Sequence, residues 1–167
     1  MHSTQPQLLQ IPLNPSDVVY TPDWVARDMV EYFKPSGRIL EPCAGDGAFL
    51  KYLPGADWCE ITKGRDFFAC HEHYDWIVGN PPFSLFDLWL YHSFEICDHA
   101  LYLAPTSKTF NSHAMLKIIY AWGGIQDLVE YGTGSSLGFP IGFSVAALHF
   151  RRGYTGPINV VFRERTK

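Results

Sequence analysis

The stretch Asp75 to Ser84, D-W-I-V-G-N-P-P-F-S, ends an apolar strand-like run in an amide, two prolines and an aromatic ring. Prolines carry no amide hydrogen and fix φ, so they stop a strand abruptly. Asn80, Pro81, Pro82 and Phe83 then offer hydrogen-bond acceptors on a rigid main chain beside a flat apolar face. Two further groups could handle a ligand. In Glu41-Pro42-Cys43-Ala44-Gly45-Asp46-Gly47 the glycines let a ligand approach the backbone closely. Glu60 closes the next strand-like run, where a carboxylate can accept hydrogen bonds from a ribose diol. His71-Glu72-His73 alternates, which suits neither a helical i, i+4 zinc pair nor a finger, so it reads as a solvated loop and no metal is expected.

The elements that must position these groups follow from periodicity and punctuation. Residues 1–16 hold three prolines and no hydrophobic period, and read as an extended arm. A helix is expected after Thr21-Pro22-Asp23, with Thr21 as its cap and Trp24, Val25, Met29, Val30 and Phe33 near a 3.6 period. Short strands are expected at 38–41, 57–61 and 74–78, and a helix-like segment at 48–53. Residues 86–97 and 112–121 read as helices, and 99–104 as a strand stopped by Pro105. Residues 145–150 and 158–162 read as the two strands of a terminal hairpin. Strands alternating with helices predict an α/β fold, a mostly parallel sheet with an antiparallel C-terminal hairpin. Ligands in such sheets bind beyond the carboxyl ends of the strands, and all three groups fall at such ends.

At 167 residues, nearly half of them hydrophobic and 18% charged, the chain has the composition of one folded domain with a sizeable core. No run of about 18 apolar residues and no basic-then-apolar N-terminus is present, so neither a membrane span nor a secretory signal is read. Cys43, Cys59, Cys70 and Cys97 are scattered, which suits reduced thiols in a cytoplasm. Net charge is −4, against strong general nucleic-acid binding. The last 17 residues run the other way: Arg151, Arg152, Arg163, Arg165 and Lys167 oppose Glu164 alone, a basic tail that could hold a phosphate backbone.

Taken together and in this order, the motifs over residues 17–150 resemble the S-adenosylmethionine-dependent amino methyltransferases, most closely the N6-adenine DNA methyltransferases. The cofactor motifs precede the catalytic one, as in the family's gamma arrangement, and the small size is similar to that of phage-type members. The resemblance implies a single Rossmann-like catalytic domain over 17–167 that binds S-adenosyl-L-methionine. It places Tyr20, Thr21 and Pro22 at the methionine end of the cofactor. Glu41, Pro42, Cys43, Ala44, Gly45 and Gly47 become the glycine loop, Glu60 and Ile61 the ribose site, and Asp66 and Phe67 the adenine site. Asn80 to Phe83 matches the family's [DNS]-P-P-[YFW] catalytic motif. An exocyclic adenine amine is a poor nucleophile, its lone pair delocalised into the ring. The Asn80 side-chain oxygen and the Pro81 carbonyl would accept both N6 hydrogens and aim the nitrogen at the methyl, without a shifted base or a covalent intermediate. Phe83 would stack on a flipped-out base, with Phe139 preferred over Phe143 as the second wall.

Only five residues separate Glu60 from Asp66, so the sheet edge there should be abbreviated. No target-recognition domain follows the last expected strand. The expected partner is therefore DNA, duplex or single-stranded, read with low sequence specificity or through a second copy or partner subunit. Residues 106–117 with Lys108 and Lys117, residues 132–143, and the basic tail with Arg151 and Arg152 are the expected DNA-facing segments. Three alternatives stay open: an adenine methyltransferase acting on RNA, a glutamine methyltransferase acting on protein, and an inactive binding protein on the same scaffold. Cytosine C5 chemistry would need a Pro-Cys nucleophile; Pro42-Cys43 lies inside the cofactor loop, without the accompanying Glu-Asn-Val.

Overall fold

A computed structural model describes residues 14–164. Seven strands form one sheet: β1 (Ile39–Glu41), β2 (Asp57–Trp58), β3 (Tyr74–Gly79), β4 (Cys97–Pro105), β5 (Gly123–Thr133), β6 (Ser144–Arg152) and β7 (Asn159–Phe162). Their order is β2-β1-β3-β4-β6-β5-β7, with β2, β1, β3 and β4 parallel and β6 antiparallel to both its neighbours. Four α-helices accompany the sheet: α1 (Asp23–Phe33), α2 (Phe86–Ile96), α3 (Thr106–Phe110) and α4 (His113–Trp122).

Strand alternation on β6 shows how the helices divide. His149 meets Phe33 of α1 edge-on at 5.5 Å, while the next residue, Phe150, meets Phe94 of α2 at 6.0 Å. Phe94 in turn stacks on Trp122 of α4 at 4.0 Å. With α1 on one face and α2 and α4 on the other, the central strands are covered on both sides. Residues 100–104 of β4 are accordingly fully buried, as an unbroken apolar run in a two-sided sheet must be.

Several expectations give way to the structure. Thr21 does not cap α1: Pro22 stands at the N-cap and makes no side-chain cap hydrogen bond. Its carbonyl accepts from Val25 and Ala26 at 3.0 and 3.1 Å instead. Residues 48–53 form turns and no helix. The seven residues between left-handed Gly47 (φ 86°) and Gly55 (φ 81°) are too few to recover the cost of nucleating one. The terminal hairpin is not formed by β6 and β7. Strand β5 lies between them, antiparallel to β6 and parallel to β7, so the antiparallel pair is β5–β6. Sequence periodicity missed β5 because it opens on Gly123-Gly124 and its pairing with β6 shifts register twice, which breaks the alternation. Beyond Glu41 the sheet is abbreviated as expected, β2 being two residues long. Of the expected N-terminal arm, residues 1–13 lie outside the described residues, and Pro15–Asp17 is a short 3-10 turn.

Candidate active site

The carboxyl ends of β1, β2 and β3 open onto a cavity of about 200 Å³. Gly45 (φ 53°) and Gly47 (φ 86°) turn the chain after β1 through the left-handed region, where only glycine is unstrained. That turn aims the Gly45 N–H at Glu60, whose Oε2 accepts it at 2.8 Å. The other Glu60 oxygen accepts from the Thr62 N–H at 3.0 Å and from its hydroxyl at 2.7 Å. Partial burial alone would push this carboxyl up; the hydrogen bonds from Thr62 and Gly45 outweigh it and hold the group below its ordinary value. Glu60 thus faces the cavity as a fixed carboxylate, with Ile61, Thr62 and Phe67 beside it.

Beneath the glycine turn lies a second acid. Glu41 is buried, and its Oε1 accepts the Cys43 N–H at 3.1 Å. Burial pushes its carboxyl up to about 8. Gly79, ending β3, presses against it: a Cβ there would stand 2.5 Å from Glu41 Oε1 and 3.0 Å from Pro42 Cδ. Glycine at this position lets the next residue, Asn80, emerge directly over the β1 turn. The Cys43 thiol donates to the Asn80 carbonyl at 3.1 Å, and burial raises that thiol well above its ordinary value.

The Asn80 carboxamide is the central feature. Its Nδ2 donates to the Val19 carbonyl at 3.2 Å, which fixes which end of the amide is nitrogen. Its Oδ1 is buried and has no hydrogen-bond partner. A buried carbonyl oxygen without a donor costs about 1–3 kcal/mol, so a fold that keeps one holds it ready for a donor brought from outside. Val19 belongs to a strap, residues 14–20, that runs along the cavity. The strap is tied by Asp17, which accepts from the Ser84 N–H at 3.1 Å and from the Ser84 hydroxyl. Tyr20 adds its ring beside Gly45.

Phe83 and Phe139 come together: their ring centroids are 6.2 Å apart, tilted by 57°, and they are only 8% and 4% exposed. Phe143, weighed as the alternative wall, is 65% exposed and stands apart from this pair. The spacing of the two rings leaves no slot for a base between them, so stacking there requires the 134–143 loop to yield.

The other expected positions divide. Pro42, Cys43, Pro82 and Phe67 line the cavity, and Thr21, Glu41 and Ala44 line a small adjoining recess. Asp66 accepts the Phe68 N–H at 3.0 Å and caps the 3-10 turn Phe67–Ala69, which sets Phe67 in place. Lys108 is exposed on α3, at the carboxyl end of β4 and so on the cavity side of the sheet. Arg151 and Arg152 do not join it. Arg151 pairs with His99 near the start of β4 and Arg152 with Gly123 at the start of β5, at the opposite end of the sheet. Arg152 is occupied by Asp98 at 3.1 Å and by the Phe94 and Cys97 carbonyls, and Arg151 by Gln126 at 3.0 Å. Arg163 lies over Tyr32 and pairs with Asp28 at 3.3 Å, while Arg165 and Lys167 fall outside the described residues. Arg151 and Arg152 therefore supply no phosphate contact at the cavity.

Two participants were not foreseen from sequence. Val19 contributes through its main chain, which no side-chain pattern reveals. Trp89 lines the cavity from α2 with its indole Nε1 buried and unpartnered, stacked against Phe67 at 5.2 Å.

No protein-family model and no curated protein matches the sequence. Solved structures do match. One, from Vibrio vulnificus and named as a modification subunit of a type I restriction enzyme, superposes with a TM-score of 0.60 at 16% identity, over 92% of this chain and 48% of that one. The 23S rRNA methyltransferase ErmE gives 0.61 at 16% identity, over 83% and 73%. DrdV, solved as a DNA complex, gives 0.63 at 13% identity, over 90% and 28%. The chain spans about half the length of the modification subunit. At these identities the likeness establishes the fold, the Rossmann-like fold of S-adenosylmethionine-dependent methyltransferases.

Proposed function

We propose that this protein transfers the methyl group of S-adenosyl-L-methionine to the N6 amine of adenine in DNA. The observation that carries the reading is the Asn80 Oδ1 atom, buried and unpartnered on a residue that lines the cavity, its amide fixed by the Val19 bond. The residues present suit the cofactor. Glu60 would accept from its ribose hydroxyls, the Gly45–Gly47 turn would cradle it, Ile61, Phe67 and Trp89 would flank its base, and Tyr20 would cover its amino-acid end. When bound, it supplies an electrophilic methyl on a sulfonium.

The chain's own residues do the rest. Asn80 Oδ1 and the Pro81 carbonyl accept the two amine hydrogens, which localises the nitrogen lone pair and points it along one line. Proline at 81 and 82 holds the main chain still, so little reorganisation accompanies the reaction. Phe83 provides a face for the extruded base once Phe139 moves aside, and stacking of ~1–3 kcal/mol offsets part of the cost of flipping. Neutral Asn80 needs no titration for this role.

The matching folds include an rRNA methyltransferase and a type I restriction-modification methyltransferase subunit, and Arg151 and Arg152 lie at the end of the sheet opposite the cavity. That combination favours RNA as the second reading of the substrate. It also supports target recognition through a partner subunit or second copy. The deciding experiment presents duplex DNA, single-stranded DNA, RNA and protein with methyl-labelled cofactor, and identifies the labelled product after digestion. N6-methyl-deoxyadenosine is expected, and label confined to RNA or protein would overturn the DNA assignment.

A further inference from the structure

We infer that Cys59 and Cys70 form a redox-active dithiol that closes a disulfide at the wall of the cavity when the protein meets a hydroperoxide. Their Sγ atoms stand 3.1 Å apart, about 1 Å outside the ~2.05 Å of a disulfide bond. No comparable pairing exists for the other two thiols: Cys43 donates to the Asn80 carbonyl, and Cys97 is fully buried at the start of β4.

The two partners differ in ways that assign their roles. Cys59 is buried and fixed on both sides of its backbone, its N–H donating to the Glu41 carbonyl and its carbonyl accepting from Ala44, both at 2.8 Å. Cys70 is half-buried and closes the 3-10 turn through its N–H to the Phe67 carbonyl at 3.0 Å. The hydrogen bond between the two sulfurs, with Arg65 nearby, favours the thiolate at the more exposed Cys70 over burial's opposite pull. The same hydrogen bond, together with burial, holds the Cys59 thiol protonated. Cys70 is therefore the attacking sulfur and Cys59 the resolving one.

A metal is the rival use of two thiols. Around zinc with ~2.3 Å bonds, two thiolates stand roughly 3.8 Å apart and need two more ligands. Among the described residues no group of three His, Cys, Asp or Glu side chains is placed to hold a metal ion.

The chemistry balances in two steps. The Cys70 thiolate attacks the hydroperoxide oxygen, giving a sulfenic acid and, with one proton taken up, the alcohol or water. The Cys59 thiol then attacks the sulfenic sulfur, forming the S–S bond and releasing water. Both cysteines are oxidised together by two electrons, and the O–O bond is reduced. The closed loop spans residues 60–69 and carries Glu60, Ile61, Thr62, Arg65 and Phe67, all of which line the cavity. Drawing the sulfurs together by about 1 Å pulls these walls inward. Resting on the function proposed above, oxidation is expected to weaken S-adenosylmethionine binding about tenfold.

Hydrogen peroxide on the full reduced chain tests this, read by differential alkylation and peptide mass spectrometry. The expected product is a Cys59–Cys70 cross-linked peptide two hydrogens lighter, restored by dithiothreitol. Cys59→Ser should stall Cys70 as a sulfenic acid that dimedone traps, and Cys70→Ser should leave Cys59 unoxidised. Preferential oxidation of Cys43 or Cys97, a wild-type Cys70 sulfinic acid beside an alkylatable Cys59, or no reaction would overturn the dithiol. Calorimetry with the cofactor separates the two ideas. Equal affinity in both redox states would overturn the coupling, whereas reduced protein that binds no cofactor would overturn the proposed function and leave the cross-link result standing.

Discussion

Asn80 and Val19 are joined by a single hydrogen bond, side-chain nitrogen to main-chain carbonyl at 3.2 Å, and that bond fixes the orientation of the amide. The oxygen has no internal partner, so truncating the side chain removes one free acceptor together with the single bond to Val19. Asn80→Ala should therefore lower methyl transfer by about 10²–10³-fold, the cost of losing one preorganised hydrogen-bonding group. Cofactor affinity should change by less than about tenfold. Labelled-methyl transfer measured beside calorimetry checks both. Activity within a few-fold of wild type would refute the acceptor role.

Gly79 should be the least replaceable glycine near the site. An alanine Cβ would stand 2.5 Å from Glu41 Oε1, 3.0 Å from Pro42 Cδ and 3.4 Å from Cys43 Sγ. Relieving three contacts at once moves the β1 turn that forms the cavity. Gly79→Ala should cost about 1–3 kcal/mol, the range for overpacking, and cofactor binding should fall with it. In a double-mutant cycle with Glu41→Ala the two losses should sum to less than additive, since the main clash has gone. Additive losses by urea denaturation would show that Gly79 does not act through Glu41.

Glu41 also sets a pH signature. Its folded carboxyl is pushed up to about 8 by burial, from 4.5. Between those values the unfolded chain is ionised and the native one keeps its proton, so folding takes up a proton. Stability from this group is full below about pH 4.5 and declines as pH rises to about 8, at up to ~1.4 kcal/mol per unit. Glu41→Gln, near-isosteric and unable to ionise, should remove that slope. The difference in unfolding free energy between the two proteins at pH 5, 6, 7 and 8 measures it. A difference that stays flat would mean Glu41 is solvated or paired in solution.

How much of this was legible beforehand depended on whether a feature spoke through side chains. Asn80, Glu60 and the glycine turn announced themselves because their residue types are costly unless used, and the structure gathers them around one cavity. Strand β5 did not, because Gly123-Gly124 and two register shifts erase a period of two. The hairpin expected at 145–162 failed for a related reason. Local turn residues show that a chain reverses, yet which strand it then pairs with is decided by burial elsewhere. Arg151 and Arg152 were placed with the substrate on charge alone, and charge carries no information about which end of a strand a residue occupies. The Asn80–Val19 and Asp17–Ser84 contacts join residues more than 60 positions apart, each through a main-chain group, beyond the reach of any local pattern.

On the sheet face under α1, side chains of three strands build a relay. His149 donates through Nδ1 to Asp127 at 2.9 Å, so its Nε2 is an acceptor and takes the His99 Nδ1–H at 2.9 Å. Trp76 stacks on both rings, at 4.2 and 4.9 Å, and Phe33 covers His149 edge-on. Burial, the neighbouring His149 and Arg151 depress His99 to about 4, with Asp98 and Asp75 leaning the other way. His149 is lowered too, by burial, against the pull of Asp127. Both folded values lie below the ordinary 6.5, so the stability these rings contribute is present above about pH 6.5 and is lost as pH falls toward 4. Protonating His149 at Nε2 sets it against the His99 Nδ1–H and breaks the relay, while protonating His99 places a charge in a buried site beside His149 and Arg151. His99→Phe keeps a ring against Trp76 and deletes one titration. It should be less stable than wild type at pH 7, because His149 Nε2 loses its donor, and should lose less stability between pH 6.5 and 4. Denaturation midpoints at intervals across that window test the sign. A variant losing as much stability as wild type on acidification would show that His99 takes no part in the acid response.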